Sequence, residues 1–128
     1  MPIRLEPHTA EKVLVLRYIA PVNPDDDLPA SVQAIVEFSH TVQGDFFVIS
    51  DTRAFQLTFD VLVEVLDLVR RQLVGVPVHF VIVGTGEIVR LAAEAITQKQ
   101  YGSFDPAKVF ATDQEAFAHC LAELQKSA

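Results

Sequence analysis

The chain has a single cysteine, Cys120. One thiol cannot close an internal disulfide, and alone it cannot found a metal site. Basic clusters are also missing: Arg70-Arg71 is the one adjacent basic pair, and 10 Lys and Arg stand against 17 Asp and Glu. A formal charge of −7 and a pI near 4.9 repel phosphate backbones and anionic headgroups, so no nucleic-acid partner is expected. Long hydrophobic runs are absent too. Stretches such as Phe80-Val81-Ile82-Val83 fall far short of a bilayer's thickness. The opening Met1-Pro2-Ile3-Arg4-Leu5-Glu6 lacks the charged start and apolar stretch of a secretory leader. Together these absences predict a cytoplasmic, reducing location without a membrane span.

What is present is apolar material. Half of the 128 residues are hydrophobic, enough to fill one core and to exclude a disordered chain. A single domain over residues 1–128 is expected. Ile3 to Leu5 and Lys12 to Ala20 read as extended segments around a polar turn, Pro7-His8-Thr9-Ala10-Glu11. Pro21 to Asp27 reads as a loop, followed by a helix from Leu28 to Val42 that Gly44 stops. Phe46 to Ser50 is a short apolar strand between Gly44-Asp45 and Asp51. Thr58 caps a second helix reaching about Leu73, and Val78 to Val83 is another buried strand. A third helix is expected over residues 87–100, ended near Gly102, and then a strand, Lys108-Val109-Phe110-Ala111. Thr112-Asp113-Gln114-Glu115 is a capping box opening a last helix through Leu124. This order predicts an α/β domain: a mixed, largely parallel sheet of about five strands, an N-terminal antiparallel hairpin and four helices.

In open α/β sheets, ligands gather beyond the carboxyl ends of parallel strands. Two strands here end in polar loops, which makes Asp51, Thr52, Arg53, Thr85 and Glu87 the candidate ligand-binding residues. Gly84-Thr85-Gly86 is not a dinucleotide turn, because Val89 stands where the third glycine belongs, and no Gly-Lys-Ser/Thr follows. No cofactor is therefore predicted. Asp51 and Glu87 could form a carboxylate pair for acid–base work, but no nucleophile accompanies them. Ser39 and His40 are adjacent on a helix and point apart. His79 reads as a hydrogen-bonded core histidine. Glu115, His119 and Glu123 share one helix face, yet no second segment completes a metal site, so none is assigned. Cys120 falls on the apolar stripe of the last helix and reads as a small core residue.

The second helix is unusual. Phe59, Leu62, Val63, Leu66, Val69 and Leu73 form one stripe that should face the core. Val61, Val65 and Leu68 are apolar as well, leaving a narrow polar strip of Asp60, Glu64, Asp67 and Arg71. A helix apolar around so much of its circumference needs burial on more than one side. Either neighbouring helices supply it, or Val61, Val65 and Leu68 form an interface with another chain. On the second reading, a glutamate at Val65 or Leu68 would give a folded monomer.

The order of elements, the strand Phe46–Asp51, the helix opened by Thr58 and the ending Lys108-Val109-Phe110-Ala111-Thr112-Asp113-Gln114-Glu115-Ala116-Phe117 resemble the STAS superfamily of anti-sigma-factor antagonists, in its divergent STAS-like branch. The resemblance covers most of the chain. It implies a non-catalytic regulatory domain that binds a protein partner, itself or a small ligand. Antagonists of that family carry a phosphorylatable serine in an Asp-Ser-Ser/Thr-Gly stretch. The matching segment here, Asp51-Thr52-Arg53-Ala54-Phe55-Gln56-Leu57-Thr58, lacks it, and only Thr58 offers a hydroxyl at the corresponding place. The expectations are then, in order, a homodimerising interaction module, a small-ligand-binding domain and an enzyme.

Overall fold

The computed structural model describes residues 3–54, 57–101, 104–105 and 107–126. Five strands form one sheet in the order β1 (Ile3–His8), β2 (Val13–Tyr18), β3 (Phe46–Asp51), β4 (Val78–Val83) and β5 (Lys108–Phe110). The β1–β2 pair is antiparallel and every other pair is parallel. The connections carry α1 (Pro24–Ser39), α2 (Phe59–Gln72) and α3 (Glu87–Ala95), and α4 (Asp113–Lys126) closes the chain. The α/β architecture expected from the sequence is thus present.

Because the parallel strands follow one another in sheet order, three successive crossovers of one hand place α1, α2 and α3 on the same face. There, Val32, Ile35 and Phe38 of α1 and Val69 of α2 cover Leu14, Leu16, Phe46 and Val48 of the sheet. Leu62 and Leu66 of α2 pack with Ala93 and Ala95 of α3. The opposite face belongs to α4, whose Ala116 and Cys120 bury Val13, Val15, Ile49, Val81 and Val83. Strand residues alternate between these two cores with period two, and both faces being covered explains why the central strands read as unbroken apolar runs.

Several boundaries differ from the sequence expectation, each for a local reason. The helix α1 starts at Pro24, inside the stretch read as a loop. Asn23 is its N-cap, accepting from the Asp25 N–H at 3.1 Å, and Pro24 occupies the first turn, where its missing N–H costs nothing. The three aspartates that follow favour the positive helix end. Strand β1 runs on through Pro7 to His8, which an edge strand tolerates because no ladder bond is demanded of the proline. The helix α3 ends at Ala95 and is followed by a 3₁₀ turn, Lys99–Tyr101; the proposed stop at Gly102 lies outside the described residues. No helix among the described residues is long and apolar enough to cross a membrane.

Candidate functional site

The carboxyl ends of β3 and β4 lie side by side, and the loops beyond them form the rim anticipated from the sequence. Asp51 ends β3, and Arg17 is its register partner on β2. Both side chains project to the α4 face and meet there: Arg17 Nη1 donates to Asp51 Oδ2 at 2.6 Å. The same guanidinium donates to Glu6 of β1 at 2.8 and 3.3 Å and to Asp113 of α4 at 3.1 Å. Arg53 forks onto Asp51 from the other side, with Nε on Oδ1 at 3.0 Å and Nη2 on Oδ2 at 2.8 Å. Its backbone N–H also donates to Oδ1 at 3.2 Å. Three carboxylates and two guanidiniums therefore close one network that ties β1, β2, β3, the following loop and α4 together.

The electrostatics follow from this geometry. Burial alone would raise the Asp51 carboxyl, but the hydrogen bonds and charge of Arg53, with the charge of Arg17, outweigh it and hold the group below its ordinary range. The Arg17 hydrogen bond lowers Glu6 in the same way. Arg17 in turn is raised, chiefly by its bond to Glu6. A carboxylate held ionised and saturated with donors is a poor proton acceptor, so Asp51 serves as a structural anion rather than a base.

On the other side of Arg53 opens a cleft of about 510 Å³. Thr52, Arg53, Thr85 and Glu87 all line it, with Leu57 and Ile88 supplying apolar wall. Four of the five rim candidates thus share one cavity. Asp51 does not, because it points to the opposite face of the sheet, so the Asp51–Glu87 carboxylate pair does not come together. The cleft's inner corner is stiff. Thr52 donates its N–H to the Val83 carbonyl at 2.9 Å and its hydroxyl to the same oxygen at 3.0 Å. Gly84 permits that approach, since a Cβ there would lie 2.5 Å from Thr52 Oγ1. Gly86 is the N-cap of α3 at φ +105° and offers no side-chain cap to the helix.

The remaining candidates are engaged elsewhere. Thr58 Oγ1 accepts from the Val61 N–H at 3.3 Å and caps α2. At the start of α4, Thr112 Oγ1 accepts from the Glu115 N–H at 3.2 Å and donates its hydroxyl to the Glu115 carboxylate at 2.9 Å. The Ser39 hydroxyl donates to the Val36 carbonyl. Cys120 is fully buried, which pushes its thiol up to about 12 and leaves it no reactive thiolate. His119 packs on Phe47 and Phe110, and no group of His, Cys, Asp and Glu among the described residues is placed to hold a metal. His79 is not a core histidine: it is half-buried, between Asp45 at 3.4 Å and Asp105 at 3.3 Å.

The two faces of α2 also differ from the expectation. Phe59 and Val63, assigned to the core stripe, are 59% and 44% exposed. Val61, Val65 and Leu68, assigned to an interface, are half-buried against Ile3, Tyr18 and Leu28 of the same chain. The helix is wedged between α1 and α3, which rotates its inward arc relative to the sequence reading. Glutamate at Val65 or Leu68 would therefore damage this packing before reporting on any partner. Sequence reasoning missed Glu6, Arg17 and Asp113. One signal for them existed: Arg17 is the lone charge in an otherwise apolar strand.

In comparisons with protein-family models, with curated proteins and with solved structures, the chain gives no significant match.

Proposed function

We propose that the chain is a non-catalytic interaction module, resembling a STAS domain, that pairs with a second copy of itself through the outer face of α2. The observation that carries this reading is the pattern on that face. Phe59 and Val63 lie one turn apart and exposed, beside Asp60 and Glu64 in the first half of the helix. Arg70 and Arg71 follow in the second half, where they pair with Asp67 at 2.8 and 3.0 Å. A two-fold axis across the helix runs two copies antiparallel, so the acidic half of one meets the basic half of the other over the apolar pair. Covering Phe59 and Val63 with a second copy would remove their apolar surface from water, which favours the pairing.

Charge reversal tests the pairing. Light scattering of the wild type at high concentration is expected to give a dimer, and Arg70→Glu with Arg71→Glu to give a folded monomer. Adding Asp60→Lys and Glu64→Lys to that variant should restore the dimer. A wild type that stays monomeric near 0.5 mM, a concentration typical of weak association, defeats the reading.

A second reading is favoured by the cleft: a small ligand held by Thr52, Arg53, Thr85 and Glu87. Mixed charge and paired hydroxyls beside an apolar wall suit a polar metabolite. Native mass spectrometry of gently purified protein should then reveal an adduct that Arg53→Ala loses. An adduct indifferent to that change belongs to another site.

A further inference from the structure

Between the sheet and the three helices on its first face lies a cavity of about 110 Å³. Its floor is the middle of the sheet, where Leu16, Ser50 and Ile82 stand side by side in register. Room exists because small residues occupy positions that larger side chains would fill: Ser31 on α1, Ser50 on β3 and Ala92 on α3. Native interiors contain few voids larger than a water molecule, whereas a dry apolar cavity of about 150 Å³ accepts benzene.

The polar groups at the cavity are distributed unevenly. At one end the Tyr18 hydroxyl donates to Ser31 Oγ at 3.0 Å, which donates to the Asp27 carbonyl at 2.8 Å, so these groups already have partners. Ser50 is different. Its hydroxyl makes no side-chain hydrogen bond among the described residues, yet it is not sealed into the protein. Strand β3 carries a serine there where its neighbours on that face, Phe46 and Val48, are fully buried hydrophobes. Close by, Thr52 Oγ1 keeps lone pairs after donating to Val83. No charged side chain lines the cavity, and an ion placed there would lose its hydration without compensation.

We propose that this cavity is a binding site for a small neutral molecule: a single ring or short branched hydrocarbon bearing one hydroxyl or carbonyl. The apolar part lies among Val32, Leu66 and Phe80, and the polar group exchanges a hydrogen bond with Ser50. The site is separate from the proposed dimer face, because it uses the inward side of α2. Dimerisation and cavity binding can therefore fail independently.

Phenol and benzene are the probes, titrated calorimetrically into the wild type, Ser50→Ala and Ala92→Leu. Phenol should bind the wild type at one site and raise its Tm. Ser50→Ala should weaken phenol about tenfold, the scale of one hydrogen bond, and leave benzene unchanged. Ala92→Leu fills the void and should abolish both. Failure of both probes to bind the wild type overturns the site, as does phenol binding that neither variant alters. Should Ala92→Leu not fold, wild-type crystals under xenon pressure keep the test open. A xenon atom above Ser50 supports the cavity and an empty void overturns it.

Discussion

Two charged clusters lie on the α4 side of the sheet, at opposite ends of the same strands. At the carboxyl end, Asp51 keeps 5% of its side-chain surface and is held by two guanidiniums at 2.6 and 2.8 Å. At the amino end, His79 faces Asp45 and Asp105, which keep 64% and 77% of theirs, at 3.3 to 3.4 Å. The difference comes from what covers each end. The first turn of α4 brings Asp113 down onto Arg17, while the later turns pass His79 with only His119, Glu123 and Leu124 at the border of an open cleft. The two ends are therefore expected to carry different weights: a buried carboxylate saturated by two guanidiniums is costly to strip, whereas an exposed His–Asp contact, ionic only when the imidazole is protonated, is nearly free.

The largest effect should follow Asp51→Ala. It removes the anion that Arg17 and Arg53 share and leaves both cations facing each other. Breaking a buried pair costs about 3–5 kcal/mol, and the solvent access of both arginines with the surviving Glu6 and Asp113 contacts places this case near 3. Urea denaturation would measure it. A loss below about 0.5 kcal/mol, the level of an exposed pair, erases the contrast between the ends.

Gly84→Ala comes next. The new Cβ meets Thr52 Oγ1 at 2.5 Å, and that hydroxyl cannot swing aside without breaking its bond to Val83. A loss of about 2 kcal/mol is expected from the forced repacking. Adding Thr52→Val keeps the crowding and removes the bond, whereas adding Thr52→Ala removes the crowding, so only the second should recover stability.

The acid limb of stability sharpens the comparison further. Asp51 and Glu6 both titrate lower in the folded chain than their ordinary values. A group lowered in this way contributes its full stability above its unfolded pKa, around 4, and loses it as pH falls through the folded value. Wild type should therefore lose more Tm than Asp51→Asn between pH 6 and pH 3, so that the gap between them narrows on acidification. Parallel acid limbs would show that the network is not coupled to folding.

Much of the frame was legible in the sequence because it is written in local signals. Gly44-Asp45 precedes β3, which runs one residue past the expected end to Asp51, Thr58 caps α2, and Thr112 with Glu115 opens α4 where expected. The rim was legible through topology, since polar loops after adjacent parallel strands must share an edge. The network was not. Arg17 and Asp113 are 96 residues apart, and no periodicity links a charge on β2 to the first turn of α4. The faces of α2 failed for a related reason. The strip of Asp60, Glu64, Asp67 and Arg71 is flanked by apolar residues on both sides, Phe59 and Val63 on one and Val61, Val65 and Leu68 on the other, so the packing of α1 and α3 decides which flank is buried.

The smallest expected effect lies at the amino end. His79→Gln keeps a hydrogen-bonding group between Asp45 and Asp105 and retains a flat face against Phe47, whose ring centroid lies 5.1 Å away. Exposed pairs contribute about 0–1 kcal/mol, and here both carboxylates stay well solvated, so a change under about 0.5 kcal/mol is expected. Salt should separate the two ends as well. Raising ionic strength to 1 M shrinks the screening length to about 3 Å, which weakens an exposed pair far more than a buried one. The stability difference between wild type and Asp51→Ala should survive that salt, and the difference between wild type and His79→Gln should vanish in it. If both differences persist, the amino-terminal cluster is also a structural clasp, and exposure is a poor guide to which charges hold this fold together.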